Sequence, residues 1–174
     1  GQEGAGFCNV TSDNALGGQH VAEFLLAGGH RKIAHIAGWQ GSSTGRDRHD
    51  GFLTALDAAG VGPHAVTDGE FSREKAKACA TQLLSGDRPD AIFVGNDHMA
   101  FAVIDVVRSA GLRPGKDISI VGFDDVPLAS WGAYDMTTLR QPVNRMVDGA
   151  VAALIDQLDT PGTTADQIKI AGRL

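Results

Sequence analysis

The stretch AIFVGNDHMAFAVIDVVRSAGLRPGKDISIV, residues 91–121, decides the fold. Ala91–Val94 is a short apolar run rich in β-forming residues, and His98–Ala110 repeats Ala102, Val103, Val106 and Val107 at helical spacing. Gly111 stands where a helix C-cap belongs, and Ile118–Val121 is a second apolar run. Strand, helix and strand within about thirty residues make a βαβ unit, and strands apolar on both faces imply a parallel sheet covered on both sides.

Working outward, Ile33–Ala37 and a weaker run, Ala65–Thr67, continue the pattern; Val66, Ile92 and Ile118 stand 26 positions apart. Helical periodicity fills the gaps. Arg46–Ala59 carries Phe52, Leu53 and Leu56 on one face, and Glu74–Leu84, after a Ser72 N-cap, carries Ala76, Ala80, Leu83 and Leu84. Gly60 and Gly86 stand where these helices should end. The fold class expected is α/β, a doubly wound parallel sheet flanked by helices with right-handed crossovers. Two more helices, Asp13–Ala27 and Pro142–Leu158, bracket this core with apolar stripes that no assigned strand covers. Both stripes are expected to be covered by something other than this chain's own sheet. Thr160–Thr164 reads as a turn before a final strand-like run, Ile168–Ile170.

Composition narrows the function. The 174 residues hold 15 Lys and Arg against 21 Asp and Glu, a net charge of −6, so the chain lacks the basic footprint of a nucleic-acid surface; any DNA-binding part is expected elsewhere. No apolar run approaches the ~18 residues of a membrane span. Gly1–Gly6 has neither the positive nor the apolar region of a signal peptide. Cys8 and Cys79 stand far apart with no CxxC, as reduced thiols of a cytoplasmic protein would. The six His form no H-x-x-x-H or Cys/His grouping, and no phosphate-binding glycine loop is present, so neither a metal nor a cofactor is expected. Gly41–Gly45 satisfies G-x-S-x-G, but Ser43 lies several residues beyond the strand end, which a nucleophile elbow does not tolerate.

Ligands of open parallel sheets bind outside the carboxyl ends of the strands. There the sequence places Trp39 to Arg48, then Glu70-Phe71, Asn96-Asp97 and Asp124-Asp125. Each has a plain structural reading: Asp97 as the cap of the following helix, Arg48 paired with Asp47 or Asp50, Asp124 or Asp125 in an Asx-turn, Phe71 in the core. An Arg fork, an amide, a carboxylate and an aromatic plate at neighbouring strand ends together suit a small polyhydroxylated or heterocyclic ligand. Trp39 and Phe71 are expected on the cleft side. Arg48 should reach back over the strand ends toward Asp124. Arg48→Lys is then expected to weaken binding by about 2 kcal/mol with folding little changed.

Several of these motifs occur together in one known family. Asp13-Asn14 opening a helix, Gly29-His30-Arg31 before Ile33–Gly38, Arg48 with Gly51-Phe52, Asn96-Asp97 before Met99-Ala100, Ser119–Asp125, and Thr137–Leu139 with Gln141-Pro142 resemble the LacI/GalR family of bacterial transcription regulators. The resemblance runs from about Val10 to Leu174, with one departure at Asp135-Met136, where the family commonly has Pro-Leu. It implies the second half of an effector domain similar to periplasmic sugar-binding proteins: residues 1–32 a partial N-terminal-subdomain segment with one helix, 33–139 the C-terminal subdomain, 140–174 a crossover helix and terminal strand belonging partly to the N-terminal subdomain. It implies effector contacts at Asp13, Thr44, Arg48, Phe71, Asn96, Asp124 and Gln141. It implies a sugar-type effector, a homodimer, operator DNA bound through a separate helix-turn-helix, no membrane partner and no catalysis. An extracytoplasmic sugar-binding protein of a transporter shares the fold and is the rival reading.

Overall fold

Successive side chains of the central strands enter two different cores, which is what a sheet covered on both faces requires. The computed structural model describes residues 8–160 and 167–174. Its elements follow in the order β1 (Asn9–Ser12), α1 (Asn14–Ala27), β2 (Ile33–Ala37), α2 (Ser43–Ala58), β3 (Ala65–Asp68), α3 (Arg73–Ser85), β4 (Ala91–Val94), α4 (Asp97–Ser109), β5 (Ser119–Asp124), a 3-10 turn (Pro127–Ser130), β6 (Thr137–Arg140), α5 (Val143–Asp159) and β7 (Gln167–Ile170). Five strands form a parallel sheet in the order β3-β2-β4-β5-β6, with Ile36 opposite Val94, Phe93 opposite Val121 and Phe123 opposite Leu139; β1 and β7 pair separately, also in parallel. On one face Ala34, Ile36, Ile92, Val94 and Ile120 pack under Ala76 and Ala80 of α3 and Val103 and Val107 of α4. On the other, Ile33, Phe93, Val121 and Phe123 pack under Val21 and Leu25 of α1 and Phe52 and Leu56 of α2.

The structure corrects the reading of the first bracketing helix. α1 buries Val21, Ala22 and Leu25 against this chain's own five-stranded sheet and against α2, so its stripe is covered within the molecule. Two glycines let the helices touch backbone to backbone: a Cβ on Gly18 would collide with the Arg48 carbonyl, and one on Gly51 with the Ala15 carbonyl. α5 differs. None of its residues is buried, and Val147, Val151, Leu154 and Leu158 are each more than half exposed. Its contact with the rest of the molecule is made on β1 and β7, where Gly149 lies beside Val10.

Local capping explains shifts at element ends. α2 starts at Ser43, three residues before the expected Arg46, because the Ser42 hydroxyl accepts the Gly45 N–H. α4 is capped by Asn96, whose side chain accepts the Met99 N–H, and Asp97 is freed for another role. Ser72 caps α3, accepting from Lys75. The expected turn at Thr160–Thr164 lies, beyond Thr160, outside the described residues, as does the Gly1–Gly6 segment. Among the described residues no helix is long and apolar enough to cross a membrane, and Cys8 and Cys79 are both free thiols.

One core residue carries a pH prediction. His35, 1% exposed in the middle of β2, stacks on Phe93 at 4.6 Å between ring centroids, while its Nδ1 lies 3.1 Å from the Phe93 carbonyl and its Nε2 has no partner among the described residues. Burial pushes its pKa from 6.5 down to about 3. The unfolded chain therefore takes up a proton below pH 6.5 that the folded chain refuses until about pH 3, and stability falls as pH falls through that window. Relative to His35→Phe, the protein is expected to lose about 2 kcal/mol between pH 7 and pH 5 in urea unfolding. A difference between the two proteins that stays constant with pH would refute this account.

Candidate functional site

The strand order changes direction between β2 and β4, because the chain leaves β2 toward β3 and then returns to the other side. α2 and α4 consequently leave toward opposite faces, and in open parallel sheets it is at the carboxyl ends of such a strand pair that ligands bind. The floor there is backbone. A Cβ on Gly95 would lie 2.7 Å from the Gly38 nitrogen, so side chains are excluded where the two strand ends approach.

Arg48 comes down onto this floor from the second turn of α2 and is only 4% exposed. Its Nε–H donates to Asn14 Oδ1 (2.9 Å), Nη1 to the Gly95 carbonyl (2.7 Å) and Nη2 to Asp124 Oδ1 (3.1 Å). The guanidinium carbon stands 3.7 Å from the centroid of the Phe123 ring, a cation–π stack. Burial lowers its pKa, with Asp124 opposing, yet a guanidinium remains a cation throughout the neutral range. Asp47 and Asp50, the partners of the plain structural reading, do not bond it.

Asp124 ends β5 in an unusual turn: its φ is 126° and that of Asp125 is 59°. Its Oδ1 also accepts from Gln141 Nε2 at 2.6 Å, while Oδ2 has no partner among the described residues and the side chain remains 22% exposed. Asp125 pairs with Arg140, and beside the pair opens a hollow lined by Asp124, Asp125, Gln141 and Pro142. Arg48, Asp124 and Gln141 are thus joined in one network. Phe71, in a left-handed conformation (φ 57°), is half-buried with its ring over Gly38. Trp39 is 54% exposed, its ring folded against Gly41. Asp13 caps α1 by accepting the Leu16 N–H, Asn96 caps α4, and Thr44 lies in the first turn of α2; none of these three bonds the Arg48–Asp124 pair.

Sequence reasoning missed three members of this network. Asn14 holds Arg48 with its Oδ1 and donates its Nδ2 to the Ser12 carbonyl. The one signal was an amide just inside a helix already capped by Asp13. The Gly95 carbonyl is backbone, and Phe123 reads as an ordinary core residue. Asp97, expected as a cap, is instead fully buried beneath the site. Thr138 Oγ1 donates to its Oδ1 at 2.6 Å and the Val126 N–H to its Oδ2 at 2.9 Å. Burial outweighs these bonds and pushes its pKa up to about 6. Among the described residues no cluster of His, Cys, Asp and Glu could hold a metal ion.

The description "periplasmic binding protein-like domain" fits residues 22–174 as a family model. The chain is 34% identical to the HTH-type transcriptional repressor PurR of Photorhabdus laumondii, an alignment covering all of this chain and 52% of that protein. With PurR of Photobacterium profundum it shares 38% identity over 84% of this chain and 45% of that protein. The chain therefore spans about half the length of the curated relatives it matches. Among solved structures, a LacI-family regulatory protein from Chloroflexus aggregans superposes with a TM-score of 0.92 at 29% identity, over 99% of this chain and 63% of that one. A complex of the transcriptional regulator CelR with cellobiose gives 0.87 at 30% identity, over 97% and 53%. The lac repressor dimer bound to operator gives 0.85 at 29%, over 93% and 49%.

Proposed function

Since the chain belongs to the periplasmic binding protein-like domain family and aligns along its length with LacI/GalR-family regulators, we propose that it is the effector-binding part of a transcription regulator. The five-stranded body, here including α1, forms one subdomain; β1, β7 and α5 begin the other, whose remaining sheet would cover the exposed stripe of α5. Effector held between the two subdomains favours one relative orientation, and a homodimer converts that orientation into the spacing of two operator-binding heads supplied by a separate segment. The module works in the cytoplasm, by binding without catalysis.

The observation that carries this reading is the buried Arg48 fork at the strand-order switch, holding an Asp124 whose second oxygen has no partner among the described residues. A carboxylate oxygen at a cleft mouth accepts from hydroxyls, and the Phe71 ring over Gly38 offers a flat apolar wall to a pyranose face. A sugar-type effector fits both, with Asp124, Arg48, Gln141, Asn96, Thr44, Asp13, Phe71 and Trp39 around it. The cellobiose held by CelR is consistent with that class.

A thermal-shift screen of mono- and disaccharides and nucleobases against the full-length regulator tests the proposal. A true effector at ~100 times its Kd adds about 2.7 kcal/mol of stability. Asp124→Asn is expected to weaken the hit at least tenfold by calorimetric titration, as loss of a charged hydrogen-bond partner does. No shift with any compound, or unchanged affinity in Asp124→Asn, would remove the pair from the binding site.

A further inference from the structure

We propose that Asp97 is a positioning residue for the site carboxylate, holding the left-handed Asp124–Asp125 turn in the place where Arg48 meets it. The inference rests on reading the Arg48–Asp124 pair as the effector site, and it adds a residue that touches neither member of the pair. Two consecutive non-glycine residues at φ 126° and 59° occupy backbone conformations that L side chains rarely adopt, so such a turn persists only where its surroundings hold it.

The turn's side chains are tied to Arg48, Gln141 and Arg140, while its backbone amides are gripped by one carboxylate. Val126 N–H, on the far side of the turn, donates directly to Asp97 Oδ2. Asp125 N–H, inside the turn, donates to Thr138 Oγ1 at 3.3 Å, and that hydroxyl donates its own O–H to Asp97 Oδ1. The two oxygens thus grip two successive amides of the turn, one of them through the neighbouring strand β6. The remaining geometry agrees with this role. Asp97 sits in the first turn of α4, where the helix end favours a negative charge. In β5 a Cβ on Gly122 would collide with Asp97 Oδ1, so a glycine there leaves room for the carboxylate to reach β6. The charged groups facing it are Arg48 from α2 and Asp124 from β5.

An asparagine in place of Asp97 keeps both arms, its Oδ1 accepting from Val126 N–H and its Nδ2 donating to a Thr138 hydroxyl that still accepts from Asp125 N–H, whereas an alanine keeps neither. Asp97→Ala therefore removes both arms, Thr138→Val removes only the arm through β6, and Thr138→Ser keeps it.

The test is side-chain and amide hydrogen exchange by NMR on the whole chain at pH 7 without ligand. Thr138→Val and Asp97→Ala are expected to speed exchange of Asp125 N–H and of Arg48 Nε–H at least tenfold, with α3 amides unchanged and Thr138→Ser close to the parent. If Asp97→Ala does not fold, Thr138→Val decides alone. Unchanged exchange at Arg48, or acceleration shared equally by α3, would overturn the proposal, since a general loss of stability speeds exchange across the molecule and not at the turn and Arg48 alone. No effector enters the measurement, so a failed sugar screen leaves this result intact and a failed exchange test leaves the binding reading intact.

Discussion

Arg48→Ala is expected to cost the domain about 4 kcal/mol of stability, a large part of the 5–15 kcal/mol that holds a typical domain together. The loss comes from what the side chain leaves behind. Asn14 Oδ1 and the Gly95 carbonyl lose their donor in a buried place, Asp124 loses its counter-charge, and Phe123 loses the plane stacked on it. Removing one partner of a buried pair typically costs 3–5 kcal/mol. Arg48→Lys, which keeps a charge but can satisfy fewer acceptors, should fall near 2 kcal/mol. From the sequence alone that exchange is expected to leave folding little changed; the burial of Arg48 at 4% exposure reverses the expectation. Urea unfolding with unchanged m-value decides, and a loss below ~1 kcal/mol for the alanine variant would return Arg48 to the class of surface ion pairs.

The second large effect concerns the seam between α1 and α2. A glycine inside a helix ordinarily costs ~1 kcal/mol relative to alanine, so Gly51→Ala would stabilise if nothing stood beside it. Here the added methyl meets the Ala15 carbonyl, and backbone cannot step aside as a side-chain tip can. Gly51→Ala is expected to destabilise by about 2 kcal/mol and Gly51→Val by about 3, because the helices must separate. Separation also stretches the 2.9 Å bond from Arg48 on α2 to Asn14 on α1, so the site should loosen with the seam. Gly149 in α5 is the control: its nearest neighbour is the Val10 side chain at 3.4 Å, and Gly149→Ala should be neutral or stabilising by up to ~1 kcal/mol. Thermal unfolding of the three variants separates the cases, and Gly51→Ala at or above the parent's Tm would contradict the close seam.

The apolar strands β2, β4 and β5 were legible because each is short, continuous and mostly buried, and β3 less so, since it stands at the sheet edge and alternates half-buried with exposed residues. β6 was not, since of Thr137–Arg140 only Leu139 is buried and the strand stands at the sheet edge, where no alternation need be apolar. The stripe of α1 could be read, its partner could not: periodicity says that a face is covered without saying by what. Arg48 and Asp124 could be named as facing groups at strand ends, but their supports are a carbonyl, a ring and an amide from a helix remote in sequence. Asn14 and Arg48 are 34 positions apart and meet only because two glycines let their helices touch. Asp97 was misplaced by one residue of capping, since Asn96 and Asp97 are both good caps and the sequence does not say which one turns inward.

The bonds Arg48 makes within the protein limit what it can say to a ligand. A guanidinium has five N–H groups. Asn14, Gly95 and Asp124 occupy three of them. At most two remain, one on each terminal nitrogen, fixed in direction by the three bonds already made. The arginine therefore acts as a stencil with two openings rather than as a mobile charge: it can count and orient two acceptor atoms, and a molecule offering one acceptor, or two at the wrong separation, gains little from the positive charge behind them.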